Sequence, residues 1–425
     1  MSLATVLASK PPAGRGVPVV DDWRVAVEIG LASTTGAYVG SARVGSARVA
    51  ANDPVWVDLT PLVRGAAWTR GSTTPYGQPD IGQLTLDLSS IDYQLSPFAG
   101  TAAWLNAAAQ FACGTLVRVV AHSPTHPGRS RGGVAGFVPQ FTGIVRDWAD
   151  YTPGGARRAA GALVVVDELL GRMATVDNPA TAAVGAGDTA QARYDRLLTA
   201  AAWQAGTAWP AGEGATPMLA TTLDGNRLAE LVRTADSDGV NIYTARDGRA
   251  THTPANLLTT WANEIGGYFG NDIGVTIIPD RESLDIQSNG DYLLTDVTFT
   301  NTSGSITDTV FPANPRARYG EHSAVVSDVV CNLATSGTAP VTRYRQLRGA
   351  TVAHRIESFR LTGRTNPANQ RWIIGADIDQ PITVVVDRGR QWTATATVRA
   401  MTHTLRPGVF WDAVYQLNTS ALTPA

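Results

Sequence analysis

At 425 residues, with 44% hydrophobic and 16% charged residues, the chain is too long for one hydrophobic core and too apolar for a disordered one. A net charge of -2 excludes the broad basic face of a nucleic-acid binder, and two cysteines exclude a disulfide framework or a thiolate metal cluster. Charge is sparse for a globular protein, so Thr, Ser, Asn and Gly must supply much of the polar surface, as in strand-rich proteins or ones covered by partners.

Residues 1–20 are punctuated by Pro and Gly and read as an N-terminal arm. No apolar run approaches the roughly 20 residues of a membrane span. From Trp23 strands follow one another: RVAVEIG, AYVGSARVGSARVA and VWVDLTPLV. The direct repeat GSARV at 40–44 and 45–49 reads as a slipped duplication in an exposed hairpin. Ala67 to Gly100 is the organising stretch: a Gly/Pro-rich loop feeds a strand in which Leu84, Leu86 and Leu88 alternate with Thr85 and Asp87. WLNAAAQFACG predicts a short helix, TLVRVVA and QFTGIVRDWADY two strands, and ALVVVDELLGRMA a buried strand that turns helical at Asp167. These make a first β-rich domain over 21–178.

The pattern then changes. Asp188 is a candidate N-cap for the helix DTAQARYDRLLTAAAWQAG, and a second helix places Leu228, Leu231 and Val232 on one face and ends at Gly239. A hairpin is expected around Asp247-Gly248. Residues 179–285 thus form an α+β insertion. Strands resume at YLLTDVTFT, and WTATATVRA sets Trp392, Ala394, Ala396 and Val398 against Thr393, Thr395, Thr397 and Arg399. In FWDAVYQL, Trp411, Ala413, Tyr415 and Leu417 alternate with Asp412, Val414 and Gln416. Residues 286–425 form a second antiparallel β domain. The fold class is mainly β with an α+β insertion.

Catalytic arrangements are missing from the sequence: no GxSxG elbow, HExxH helix, P-loop or CxxC pair occurs. His122 and His126 lie in a Pro-containing loop, where a helical i, i+4 metal pair does not form. Asp236-Ser237-Asp238-Gly239 lacks the closing acid of a calcium loop and reads as a helix end. Asp167 and Glu168 fit a strand feeding a helical turn better than a glycosidase carboxylate pair. Trp392 and Trp411 are expected in the core, with Trp68 and Trp148 open between core and surface. Cys113 and Cys331 read as buried free thiols, with a disulfide as the alternative. No enzyme activity, cofactor or metal is expected.

The order of these segments resembles the tail-hub (minor tail, or baseplate hub) proteins of long-tailed phages infecting actinobacteria. The resemblance runs through W-x-R-G-S-T-T at 68–74, GQLTLDLSSIDYQLSP at 82–97, GTLVRVVA at 114–121, FTGIVRDW at 141–148 and LVVVDELLGRMA at 163–174, and closes with VRAMTHTLRPGVFWDAVYQL. Ser90-Ile91-Asp92 departs from the family's Asn-x-Asp-Gly turn. The resemblance implies two β domains of tube-protein-like architecture per chain and a homotrimer that offers six β units to a sixfold tube. It also implies distal-tail, tail-tube and tape-measure proteins as partners, a place in the virion tail after assembly in the host cytoplasm, and a role in genome ejection. A distal-tail adaptor ring of six chains and a cell-wall-degrading tail enzyme are the alternatives. The loop carrying Arg70, Gly71, Tyr76, Gly77 and Gly82 is the candidate assembly element, expected to be an exposed inter-subunit or tube-facing element whose deletion impairs oligomerisation more than folding of the monomer.

Overall fold

Three fully buried leucines, Leu84, Leu86 and Leu88, alternate with half-exposed Thr85 and Asp87, and so place the strand Asp80–Ser89 with one face in the core. The computed structural model describes residues 24–31, 55–74, 77–90, 95, 113–122, 137–155, 160–177, 183–200, 207–210, 213–223, 225–253, 276–277, 283–288, 294–309, 320–348, 354–363, 372–387, 391–419 and 423–424. The GSARV repeat, the helix expected at 104–113 apart from Cys113, and His126 lie outside them.

In chain order the first β unit holds β1 (Arg24–Leu31), β2 (Val55–Asp58), β3 (Val63–Gly71), β4 (Asp80–Ser89), β5 (Leu116–His122), β6 (Phe137–Tyr151) and β7 (Gly161–Glu168). Helices α1 (Ala190–Ala200) and α2 (Arg227–Asp238) follow, then the hairpin β8 (Ile242–Thr244) and β9 (Ala250–His252). Next come β10 (Thr276–Ile277), β11 (Leu284–Ser288), β12 (Asp296–Asn301), β13 (Gly304–Thr309), β14 (Ser323–Val326), and helices α3 (Leu333–Ser336) and α4 (Ala339–Arg348). The chain closes with β15 (His354–Thr362), β16 (Pro381–Asp387), β17 (Gln391–Arg406), β18 (Phe410–Thr419) and β19 (Thr423–Pro424).

The two β units are not separate sheets. Among the described residues one 14-stranded sheet runs β11-β15-β18-β17-β3-β4-β7-β6-β5-β1-β2, with β16 and β19 also on β17 and β10 on β16. Its pairings are antiparallel except for the short β10–β16 contact. The length of β17 makes the continuity possible: residues 391–397 pair with β16, and Ala400–Leu405 pair with β3. Between them the register shifts at Arg399, a β-bulge that reverses the facing of the strand. Ala394, Ala396 and Val398 are buried before it, and Met401, His403 and Leu405 after it. Arg399, expected on the polar face, is instead buried, with Nη2 donating to Glu357 Oε1 at 2.7 Å and Gln416 Oε1 at 3.1 Å.

One hydrophobic core serves both β units, joining Trp68, Leu84, Leu86 and Val164 to Ile373, Ile374, Trp411 and Tyr415. A second core packs Tyr194, Leu197, Leu231 and Ile242 against Val297, Phe299, Cys331 and Val341. The latter residues lie in the stretch assigned by sequence to the second β domain, yet their three-stranded sheet, β13-β12-β14, packs with the insertion helices. Helix α2 ends at Gly239 as its sequence predicts, left-handed at φ 75, and at its start Asn226 Oδ1 accepts from the Ala229 N–H. At α1 it is Thr189, not Asp188, whose side chain accepts from the Ala192 N–H; the Asp188 carboxylate pairs with Arg196 at 3.1 Å.

Candidate functional site

The join between β3 and β17 is where the geometry concentrates. Gly71 ends β3 beside the β17 bulge with φ 92, and a Cβ there would lie 2.2 Å from the Arg399 carbonyl oxygen. Only glycine meets both demands. The next N–H, of Ser72, donates to that same carbonyl at 3.1 Å. On the inner face Trp68 stacks on its cross-strand partner His403, ring centroids 4.7 Å apart, and Trp411 Nε1 donates to His403 Nδ1 at 3.2 Å. Trp68 is therefore core, as Trp411 is; Trp148 is half-buried against the same core.

Arg70, one alternation beyond Trp68, points into the same interior and is fully buried. Its Nε donates to Glu168 Oε1 at 2.6 Å, Nη1 to Asp377 Oδ1 at 2.5 Å, and Nη2 to the Thr244 carbonyl at 2.5 Å. One guanidinium thus ties β3 to the end of β7, to the turn after the helical segment at 372–375, and to the insertion hairpin. Arg246 adds a second cation 3.6 Å from Asp377, and it also donates to the Ile374 carbonyl. Burial opposes charge on Arg70, but Asp377 and Glu168 outweigh it and raise its pKa. Burial also raises the Glu168 carboxyl, against the downward pull of Arg70 and of the Gly82 N–H. Buried charge of this kind is stable only while every member is paired.

The same contacts draw the candidate loop inward. Arg70 and Gly71 are interior, and so is Gly82, whose N–H donates to Glu168 Oε2 at 2.9 Å and whose Cβ position would lie 2.5 Å from the Glu168 carboxyl carbon. Gly77 is half-buried, and Tyr76 lies outside the described residues. Gln78 fastens the loop to the insertion, donating to Asp236 Oδ1 at 2.9 Å and the Val240 carbonyl at 2.8 Å while accepting from the Ile242 N–H. Among the described residues of the loop, Thr73, Thr74, Asp80 and Ile81 are exposed. The expectation of an exposed loop therefore fails for Arg70, Gly71 and Gly82, which are buried.

Other sequence candidates disperse. Asp167 and Glu168 take opposite sides of β7, Asp167 pairing with Arg146 at 3.1 Å, so they form no acid–base pair across a common space. Cys331 is buried, its thiol pushed up to about 12 by burial, whereas Cys113 is exposed and neither is paired, which corrects the expectation for Cys113. Asp238 closes α2 and binds Thr216 and Arg343. Among the described residues no group of three or more His, Cys, Asp or Glu side chains could hold a metal ion, and no helix is long and apolar enough to cross a membrane.

The buried histidines set a pH dependence. Burial lowers the pKa of His403 well below 6.5, with Arg246 and Arg70 adding to the effect, and burial lowers His252. Both bind protons more readily unfolded, so their contribution is complete above about pH 6.5 and is lost as pH falls toward the folded values. Stability should decline by about 1.4 kcal/mol per pH unit for each histidine in that window. Urea unfolding from pH 7.5 to 5.0 checks this, and His403→Gln should flatten part of the slope.

The outer face of the join is opposite in character. Directly opposed residues run Asp412–Thr404–Ala67–Thr85–Val165–Asp147 across six strands, and beside them Val414–Thr402–Thr69–Gln83–Asp167–Ile144. The middle of both rows is short, uncharged and largely exposed, with the ion pairs Arg360–Asp412 and Arg146–Asp167 toward its flanks. Sequence periodicity shows each strand's outer face; that they join into one surface depends on the β3–β17 register.

No protein-family model and no curated sequence matches the chain. Solved structures do. The tail protein from Neisseria meningitidis MC58 superposes with a TM-score of 0.57 at 12% identity, over 93% of this chain and 96% of that one. The chain shares its fold with phage tail proteins. The 43 kDa tail protein of prophage MuSo2 from Shewanella oneidensis is also similar, with a TM-score of 0.51 at 11% identity over 93% of this chain and 97% of that one. Both alignments take in the insertion together with the two β units.

Proposed function

We propose that the protein is a structural component of a phage tail, a hub that closes the distal end of the tail tube as a homotrimer. The observation that carries this reading is the β3–β17 join, which makes two β units one rigid sheet within a chain. Three such chains offer six β units, which matches a threefold tip to a sixfold tube while leaving few free sheet edges. The uncharged Thr-rich surface across the join suits contact with neighbouring protein. The tail-protein fold supports the same assignment.

The working division is an arm at 1–20, a first tube-like domain at 21–178, an insertion at 179–285 and a second tube-like domain at 286–425, with the core of the insertion extended by Leu294 to Tyr344. The partners are distal-tail and tail-tube proteins and the tape-measure protein. In the virion tail, after assembly in the host cytoplasm, the hub holds the tube closed until genome ejection. The exposed turn at Thr73, Thr74, Asp80 and Ile81, with Tyr76 and Gly77, makes the contact, and Arg70, Gly71 and Gly82 anchor it.

Native mass spectrometry of the purified chain tests this. A trimer is expected. Six copies would select an adaptor ring instead, and a monomer at high concentration would contradict both.

A further inference from the structure

His403 sits inside the β3–β17 join, and its surroundings accept only the neutral ring. It is fully buried and faces Trp68 across the two strands, with ring centroids 4.7 Å apart and planes 6° from parallel. From β18, Trp411 Nε1 donates to His403 Nδ1 at 3.2 Å, and the Tyr415 ring meets it edge-on at 6.0 Å. An indole N–H can only donate, so Nδ1 must accept and the single ring proton sits on Nε2.

The charges beside His403 are positive. Arg70 pairs with Met401 just as Trp68 pairs with His403, so it is the diagonal cross-strand neighbour of the imidazole. Arg246, from the turn of the insertion hairpin, lies 3.6 Å from the Asp377 that Arg70 binds. The carboxylates of this group, Glu168 and Asp377, are already held by those guanidinium groups. On β18 the titratable neighbour is the Tyr415 phenol, which burial keeps neutral. A proton on Nδ1 would set donor against donor at Trp411 and add a third cation beside two arginines. The Trp68 stack attracts an imidazolium, but burial, Arg246 and Arg70 outweigh it and hold His403 well below the usual histidine value.

We propose that His403 is an acid-sensitive latch of the β3–β17 join: the neutral ring holds the two β units together, and protonation drives it from between Trp68 and Trp411 and parts the strands. The opening is local, because no residue of the join belongs to the second core, which unites the insertion helices with β12. In the opened join the histidine regains its ordinary affinity for protons, so acid favours opening below about pH 6.5.

Hydrogen exchange of the full chain between pH 7.5 and 5.0, corrected for the pH dependence of intrinsic exchange, tests this. Opening takes up one proton, so protection at 66–71 and 400–405 should fall about tenfold per pH unit below about pH 6.5, while α2 keeps its protection. His403→Gln offers Trp411 a side-chain oxygen that does not titrate, so the pH dependence of the join should vanish. Trp411→Phe removes the clash of donors and should make the dependence shallower; it decides the matter if His403→Gln does not fold. Protection at the join that is insensitive to pH in the unaltered chain would overturn the proposal. So would a loss spread evenly over the chain, or a pH dependence unchanged in both variants.

Discussion

Replacing Arg70 by Met should be the most damaging single change in the β units, with a loss of about 3–5 kcal/mol in urea unfolding. Methionine approximates the length and fills the space, but it leaves Glu168 buried without its cation and Asp377 with only Arg246, 3.6 Å away. It also frees the Thr244 carbonyl, so hydrogen exchange should rise in the hairpin at 242–252, far away in sequence. The damage comes mainly from the unpaired Glu168, so changing Arg70 and Glu168 together to apolar residues of similar volume, with Asp377 left to Arg246, should recover part of the loss. A loss below about 1 kcal/mol in the single variant would mean that water reaches the two carboxylates and that the junction is looser than the geometry describes.

Gly71→Ala should cost about 2–4 kcal/mol, a large effect for the addition of one methyl group. Two causes combine: φ 92 is unfavourable for any L side chain, and the new Cβ meets the Arg399 carbonyl that accepts from the Ser72 N–H. Gly114 supplies the control, because it has the same φ of 92 with nothing within 4 Å of its Cβ position. Gly114→Ala should show the backbone strain alone, about 1 kcal/mol. The difference between the variants isolates the contact with the β17 bulge. Equal losses would show that β3 and β17 can separate slightly without penalty, and would weaken the case for a rigid sheet.

Much of this fold is legible in the sequence where the physics is local. The alternating leucines of β4, the alternation in β18, the Gly239 stop of α2, and the Asp247-Gly248 hairpin all appear as expected. The bulge at Arg399 does not, because the alternation in WTATATVRA continues smoothly to the residue where the register shifts. Arg70 carried a usable signal: Ala66, Trp68 and Arg70 share one face by period two, so a buried Trp68 places Arg70 inside. Its partners had none, since Glu168 and Asp377 lie 98 and 307 residues away and meet it only through the tertiary fold. The packing of 294–344 on the insertion was hidden for the same reason, because strand grammar does not say which sheet a strand joins.

The proposed hub takes two β units, fixed to one another, from each of three chains. Electron microscopy of the purified oligomer tests it most directly through symmetry. A ring of three chains is expected, in which six similar β units repeat around the axis, with β3 and β17 paired inside each chain. A ring of six chains, or three chains whose β3 pairs with the β17 of a neighbour, would contradict it.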